Sequence, residues 1–167
     1  MSIVPESIVH LLEPWNHFYS HSKVAETVVQ SLHIGGVLLS GGLAIAADRS
    51  TLRALRTPAP DRAFPMRELA AVHRWVLTGL TIVVISGLGL LTADIETFFG
   101  SWIYWTKMAL VAVLLVNGLV ITRTEAELRA DPGEHSPHWD RLRARAVTSI
   151  VLWFVIVVFG VSLVNLT

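Results

Sequence analysis

The chain has 167 residues, 53% of them hydrophobic, with a mean hydropathy of +0.57. That composition excludes a disordered chain, and the length leaves room for one helical bundle without a separate soluble domain. Thirteen basic residues balance thirteen acidic ones and there is no cysteine, which excludes disulfides, iron–sulfur clusters, thiolate metal sites and haem attachment through a CxxCH sequence.

The zero net charge hides a strong polarity along the chain. All eleven arginines fall within residues 49–74 and 123–145, and each of these stretches separates two apolar runs. The runs cover residues 28–47, 75–93, 102–121 and 146–166. Each is near the ~20 residues that a helix needs to cross a hydrocarbon layer of ~30 Å. Arginine-rich connections resist translocation and stay on the cytoplasmic side. The expectation is an all-α integral membrane four-helix bundle in a bacterial inner (cytoplasmic) membrane, multi-pass, with the N-terminus and C-terminus outside. The arginines are interspersed with eight acids, so the inner surface suits anionic lipid headgroups but forms no patch for nucleic acid.

Residues 1–23 form an outer interfacial amphipathic segment of one or two short helices. Pro5 and Pro14 each suit a first helical turn, and Ile8, Leu11, Leu12, Trp15, Phe18 and Tyr19 suit a membrane surface. The start of the chain lacks the basic and apolar regions of a cleaved signal peptide, so the first span is expected to stay as an anchor. Residues 24–167 make up the four-span bundle. After the first span, Pro58, Pro60 and Pro65 predict an irregular connection with a short helix near its end, and Pro14 is expected to interrupt the N-terminal helix. His73, Arg74 and Trp75 mark the inner mouth of the second span, and Trp102, Tyr104 and Trp105 form an aromatic girdle at the outer start of the third. A helical extension over 124–130 ends at Asp131-Pro132-Gly133. The fourth span carries no charge and is expected to face lipid or to pack as a plain wall.

Ionisable groups inside a bilayer are costly and mark candidate sites. His33 lies about one and a half turns into the first span, and Lys107 about the same distance into the third, both from the outer end. Gln30, His33, Val37 and Ser40 share one helical stripe, and Tyr104, Lys107, Val111 and Gly118 another. If the stripes face each other, a polar pocket opens outward, with Gln30, His33, Tyr104 and Lys107 as its binding residues. The plainer alternative is a snorkelling lysine and a histidine that only bonds a neighbouring helix. His73 is a possible axial ligand or an interfacial cap, but its level in the membrane makes it a poor partner for His33 on one haem. His17 and His21, at i and i+4, are a candidate metal pair beside His33, although no carboxylate completes an evident site. Asn117, Thr78, Thr81 and Ser86 are available for bonds between helices, and His135 and His138 are expected to be solvated. The pairs Ser40-Gly41 and Ser86-Gly87 read as close helix packing. No phosphate loop, Ser–His–Asp pattern or HExxH motif occurs, so no reaction is assigned.

The stretch Leu32-His33-Ile34-Gly35-Gly36-Val37-Leu38-Leu39-Ser40-Gly41-Gly42-Leu43 resembles the first span of CopD-type copper-resistance membrane proteins, and Trp102-Ile103-Tyr104-Trp105-Thr106-Lys107 is similar to their lysine-containing span. HemJ-type protoporphyrinogen oxidases look alike in the same two places. The resemblance implies a small helical bundle whose His33 and Lys107 hold a b-type haem or porphyrin. It departs from the HemJ pattern after the first span, where Ala46-Ala47-Asp48-Arg49 stands in place of a Leu–Pro–Arg, so porphyrinogen oxidation is not the expected activity. Three readings follow. The first is a redox-associated membrane protein binding haem b or a quinone-like ligand near the outer leaflet. The second is a non-catalytic accessory subunit of a larger membrane complex, or a homo-oligomer. The third is a copper or proton pathway through His33, Lys107 and Asn117.

Overall fold

A computed structural model describes residues 4–56, 63–130 and 138–166, with backbone alone for 63–71 and 129–130. The described chain is helical throughout and runs α1 (Glu6–His21), α2 (Lys23–Ala54), α3 (Ala63–Ala93), α4 (Ile95–Gly100), α5 (Trp102–Ala130) and α6 (His138–Leu166). Four of these helices are long and apolar enough to cross a membrane, and the chain is a multi-pass membrane protein. Pro58, Pro60, Asp131, Pro132, Gly133 and His135 lie outside the described residues.

The helices outrun the apolar stretches that announce them. Ser22 caps α2, its hydroxyl accepting a bond from the Ala25 amide at 3.2 Å. The helix then continues past the apolar run to Ala54, with Asp48, Thr51 and Ala54 buried on one face. In α3 the turns from Ala63 are continuous with the span, so Pro65 lies in the first turn of a long helix, where its missing amide costs no hydrogen bond. The connection between the second and third spans is itself a short helix, α4, capped by Asp94, whose carboxylate accepts from the Thr97 amide at 3.4 Å.

Helix α1 corrects one expectation. It runs unbroken through Pro14, although an interior proline removes a backbone bond. The residues straight after the proline are held from outside the helix. The Trp15 indole donates to the Gly89 carbonyl at 3.0 Å and the Asn16 amide donates to the Ala93 carbonyl, both at the end of α3. Leu11 and Phe18 remain exposed, as suits a helix lying along a membrane surface. The double variant Trp15→Phe, Asn16→Ala is expected to free α1, with hydrogen exchange over residues 6–21 accelerating at least tenfold while α2 and α3 stay protected; each lost bond is worth about 1 kcal/mol. Unchanged protection of α1 would show that lipid-facing side chains, and not these bonds, hold it.

The bundle consists of two close pairs, α2 on α3 and α5 on α6, joined through α2 and α6. In the first pair, glycines let the backbones meet. A methyl group on Gly36 would lie 3.1 Å from the Gly79 carbonyl, and one on Gly79 would lie 2.8 Å from the Ser40 amide nitrogen. Ser40 itself is fully buried and donates back to the Gly36 carbonyl at 2.7 Å. Small residues at such crossings replace the hydrophobic drive that lipid removes.

The fourth span is not a plain wall. Helix α6 buries Leu142, Ala146, Ser149, Trp153, Ile156 and Leu163, a spacing of four and three that returns one narrow face to the same side every two turns. Leu142 packs with Leu128 and Ala47. Trp153 and Ile156 pack with Leu114, Ala44, Ile45 and Leu80, so all four long helices meet there. Gly41 gives the Trp153 ring its place, since a methyl group on it would lie 2.9 Å from the indole. The buried face is written in serine, alanine and glycine as much as in large apolar residues, which is why a scan for apolar runs misses it.

Candidate functional site

His33 sits on α2 and presents its imidazole to α3. Its Nδ1 lies 3.1 Å from the Ser86 hydroxyl oxygen. That hydroxyl already donates its proton to the Ile82 carbonyl at 2.6 Å, so toward His33 it acts as acceptor. The imidazole proton is thereby assigned to Nδ1, and Nε2 keeps its lone pair. Gly87 follows Ser86 on the same helix, and a methyl group there would come within 3.1 Å of the His33 ring. The Ser86-Gly87 pair thus both packs the helix and seats the histidine.

Lys107 reaches the same end of the bundle from α5. It lies half-buried, and a methyl group on Gly160 of α6 would sit 3.7 Å from its Nζ. The lysine therefore runs along α6 instead of standing free in solvent. Its charge is close enough to act on His33. An imidazole on α2 and an ammonium group on α5 thus lie near one another toward the α1 end of the bundle, and groups of these two kinds can together hold an anionic or carbonyl-bearing ligand.

The other candidate residues fall around this region or away from it. Gln30 is exposed and its amide donates to the Tyr19 hydroxyl at 3.4 Å, tying α2 to α1. Tyr104 lies in an aromatic cluster with Phe98, Phe99 and Trp105. His73 is exposed near the start of the apolar part of α3, thirteen residues from Ser86, or ~20 Å along the axis, so it shares no site with His33. His17 and His21 stack on each other on α1 at 4.1 Å between ring centres. The His21 ring turns back on its own helix, its Nδ1 meeting the His17 carbonyl at 2.9 Å. Among the described residues no three histidine or carboxylate groups converge as a metal site. Thr78 and Thr81 do not bridge helices, because each donates to its own helix four residues back. His138, expected in solvent, is half-buried with its Nδ1 3.0 Å from a Glu127 carboxylate oxygen.

A second polar group lies at the arginine end, and sequence reasoning passed over it. Asp48 is only 6% exposed and bonds to Ser149 of α6. Glu125 of α5, also buried, is close enough to act on it electrostatically. Thr51 and Thr124 are buried alongside in the same two helices. The signal was available in the spacing: Ala44, Asp48, Thr51 and Ala54 follow one helical stripe, which continues the seam beyond the apolar run. Asn117 crosses between helices as expected, its amide donating to the Arg145 carbonyl at 3.0 Å.

The two polar ends do not connect. On α6, Ser149 and Gly160 mark them, eleven residues or ~16 Å apart, and Trp153 and Ile156 with Leu114 fill the space between. Compared with protein-family models, with curated proteins and with solved structures, the chain matches none.

Proposed function

We propose that this small polytopic membrane protein is redox-associated and that His33 and Lys107 bind a quinone-like ligand at the α1 end of the bundle, the outer end by the arginine distribution. The observation that carries the reading is the His33 imidazole, held 3.1 Å from the Ser86 hydroxyl, with the Lys107 ammonium close enough to act on it. The ammonium donates to a quinone carbonyl oxygen. The Nε2 lone pair accepts the hydroxyl proton of the reduced form, and Ser86 holds the ring while it does so. Oxidation of a quinol releases two electrons and two protons; His33 takes one proton, the second passes to water at the outer surface, and the electrons pass one at a time to a partner protein carrying a one-electron acceptor. The likeness of two spans to CopD-type and HemJ-type proteins agrees with a ligand held by this histidine and this lysine.

The donor set fits a bis-histidine haem b poorly. His33 offers one correctly backed ligand, its Nδ1 fixed as ligating histidines usually are. His73 lies too far along α3, and His17 and His21 face each other on α1. A proton or copper pathway is favoured by nothing in the layer around Trp153, which holds no ionisable group among its packed residues.

The test is quenching of tryptophan fluorescence by decylubiquinone, titrated into the protein in mild detergent. Trp102 and Trp105 stand within a turn or two of Lys107 and report on that end. Saturable quenching is expected in the wild type, weakened about tenfold in Lys107→Ala and in His33→Ala, as a lost hydrogen bond to a charged or polar group implies. Equal titration curves for all three proteins would overturn the proposal. An oxidised-minus-reduced absorption spectrum of the same preparation distinguishes haem: a Soret band lost in His33→Ala would replace the quinone by haem. Normal folding with neither signal would leave the accessory-subunit reading in its place.

A further inference from the structure

A cleft of about 270 Å³ opens between α5 and α6, away from His33 and Lys107, and it is lined by Ala112, Val113, Val116, Asn117, Arg145 and Thr148. Its volume falls just below the ~300–1,000 Å³ of pockets that enclose a small molecule. The walls are mostly apolar over the part nearer the middle of the spans, where Ala112, Val113 and Val116 lie. One end is cationic. Arg145 is exposed and has no ion pair among the described residues.

The direction of the arginine follows from helix geometry. Side chains lean toward the N-terminus of their helix, and α6 begins at the arginine end. The guanidinium therefore extends from the cleft toward the level of the headgroups while the apolar walls run the other way. Asn117 supplies a second polar point. It is 2% exposed and lines the cleft, and among the described residues its Oδ1 has no hydrogen-bond partner. Its amide bonds to the Arg145 carbonyl, so it sits level with the Arg145 backbone, one step below the guanidinium. A cation above and an apolar channel below match the order of groups along a phospholipid.

We infer that the α5–α6 cleft seats one acyl chain of an anionic phospholipid whose phosphate is bound by Arg145. Charge complementarity sets the headgroup, since guanidinium and phosphate pair through two parallel hydrogen bonds. The small volume sets the occupancy at one chain. The lipid would fasten α5 to α6 near the arginine end, beside the Leu128–Leu142 contact.

The experiment is native mass spectrometry of the full chain, delipidated in mild detergent. It is titrated with phosphatidylglycerol or with phosphatidylcholine of the same acyl chains. The wild type is expected to retain one phosphatidylglycerol with an affinity about five- to tenfold above that for phosphatidylcholine, the scale of one arginine at a charged lipid surface. Arg145→Gln should bring the two lipids within about twofold of each other. Val116→Trp, which fills the channel from a face exposed to lipid, should remove the retained molecule while the protein elutes normally. Three results would overturn the inference: equal retention of both lipids by the wild type, a preference that survives Arg145→Gln, or retention that survives Val116→Trp. Competition by glycerol 3-phosphate alone would also overturn it, because the site would then read a free phosphate and not a lipid.

Discussion

Trp153→Ala is expected to destabilise the bundle by about 3 kcal/mol, at the lower end of the range for removing a large buried aromatic ring. The lower end applies because lipid is as apolar as the bundle interior. The loss is then the cavity and the missing dispersion contacts, not transfer from water. Trp153 is where α2, α3, α5 and α6 meet, packed on Leu114, Ile156, Ala44 and Leu80, so no single helix can move to close the hole. Reversible unfolding in mixed micelles, followed by circular dichroism against denaturing detergent, measures the change. Phe154→Ala is the control: its ring is 63% exposed and should cost under about 1 kcal/mol, as surface changes do. Equal effects of the two substitutions would mean that α6 is not the seam of the bundle.

Gly79→Ala is the second large effect and has the opposite cause. The added methyl group would lie 2.8 Å from the Ser40 amide nitrogen, 2.9 Å from its Cβ and 3.1 Å from the Gly36 carbonyl. Two of these are backbone atoms, so a change of rotamer relieves nothing and α2 must part from α3. Overpacking of this kind costs about 1–3 kcal/mol. Seven residues along α3, Ser86 holds His33, so the same separation should loosen the seat of His33 and lower the proposed quinone affinity along with stability. Gly42→Ala and Gly118→Ala, where a methyl group meets open space, should be neutral or stabilising by up to about 1 kcal/mol through helix propensity. A Gly79→Ala protein as stable as these controls would show that the close crossing of α2 and α3 is not formed.

The sequence and the structure part company at identifiable residues. The apolar runs and the two arginine stretches made four membrane-length helices legible, and the extension of α5 beyond the third span was readable from 124–130. Pro14 misled because a proline predicts the local backbone cost but not the bonds from Trp15 and Asn16 to α3 that hold the helix across it. Thr78 and Thr81 misled because a hydroxyl in a helix finds its own carbonyl four residues back before it finds a neighbour. Asp48 follows directly on the first apolar run, where a charge usually marks the end of a span; its burial against Ser149 depends on α2 continuing to Ala54 and on α6 lying alongside. The uncharged fourth span looked featureless to a reading of apolar content, although Leu142, Ala146, Ser149, Trp153, Ile156 and Leu163 carry the spacing of a packing seam.

By itself, then, the amino-acid sequence determined that the chain is a set of four membrane-length helices, and which few polar residues those helices carry into the apolar layer. Backbone groups in lipid must bond within their own helix, so each span is settled locally and can be read locally. Only the tertiary structure decided which faces meet, that Ser86 holds His33, that Lys107 lies against Gly160, and that α2 and α6 join the two helix pairs. The reason is physical. In water, apolar faces turn inward and advertise themselves; in lipid both inside and outside are apolar. The partners are then chosen by small residues, close crossings and single hydrogen bonds, whose meaning appears only when two helices are side by side.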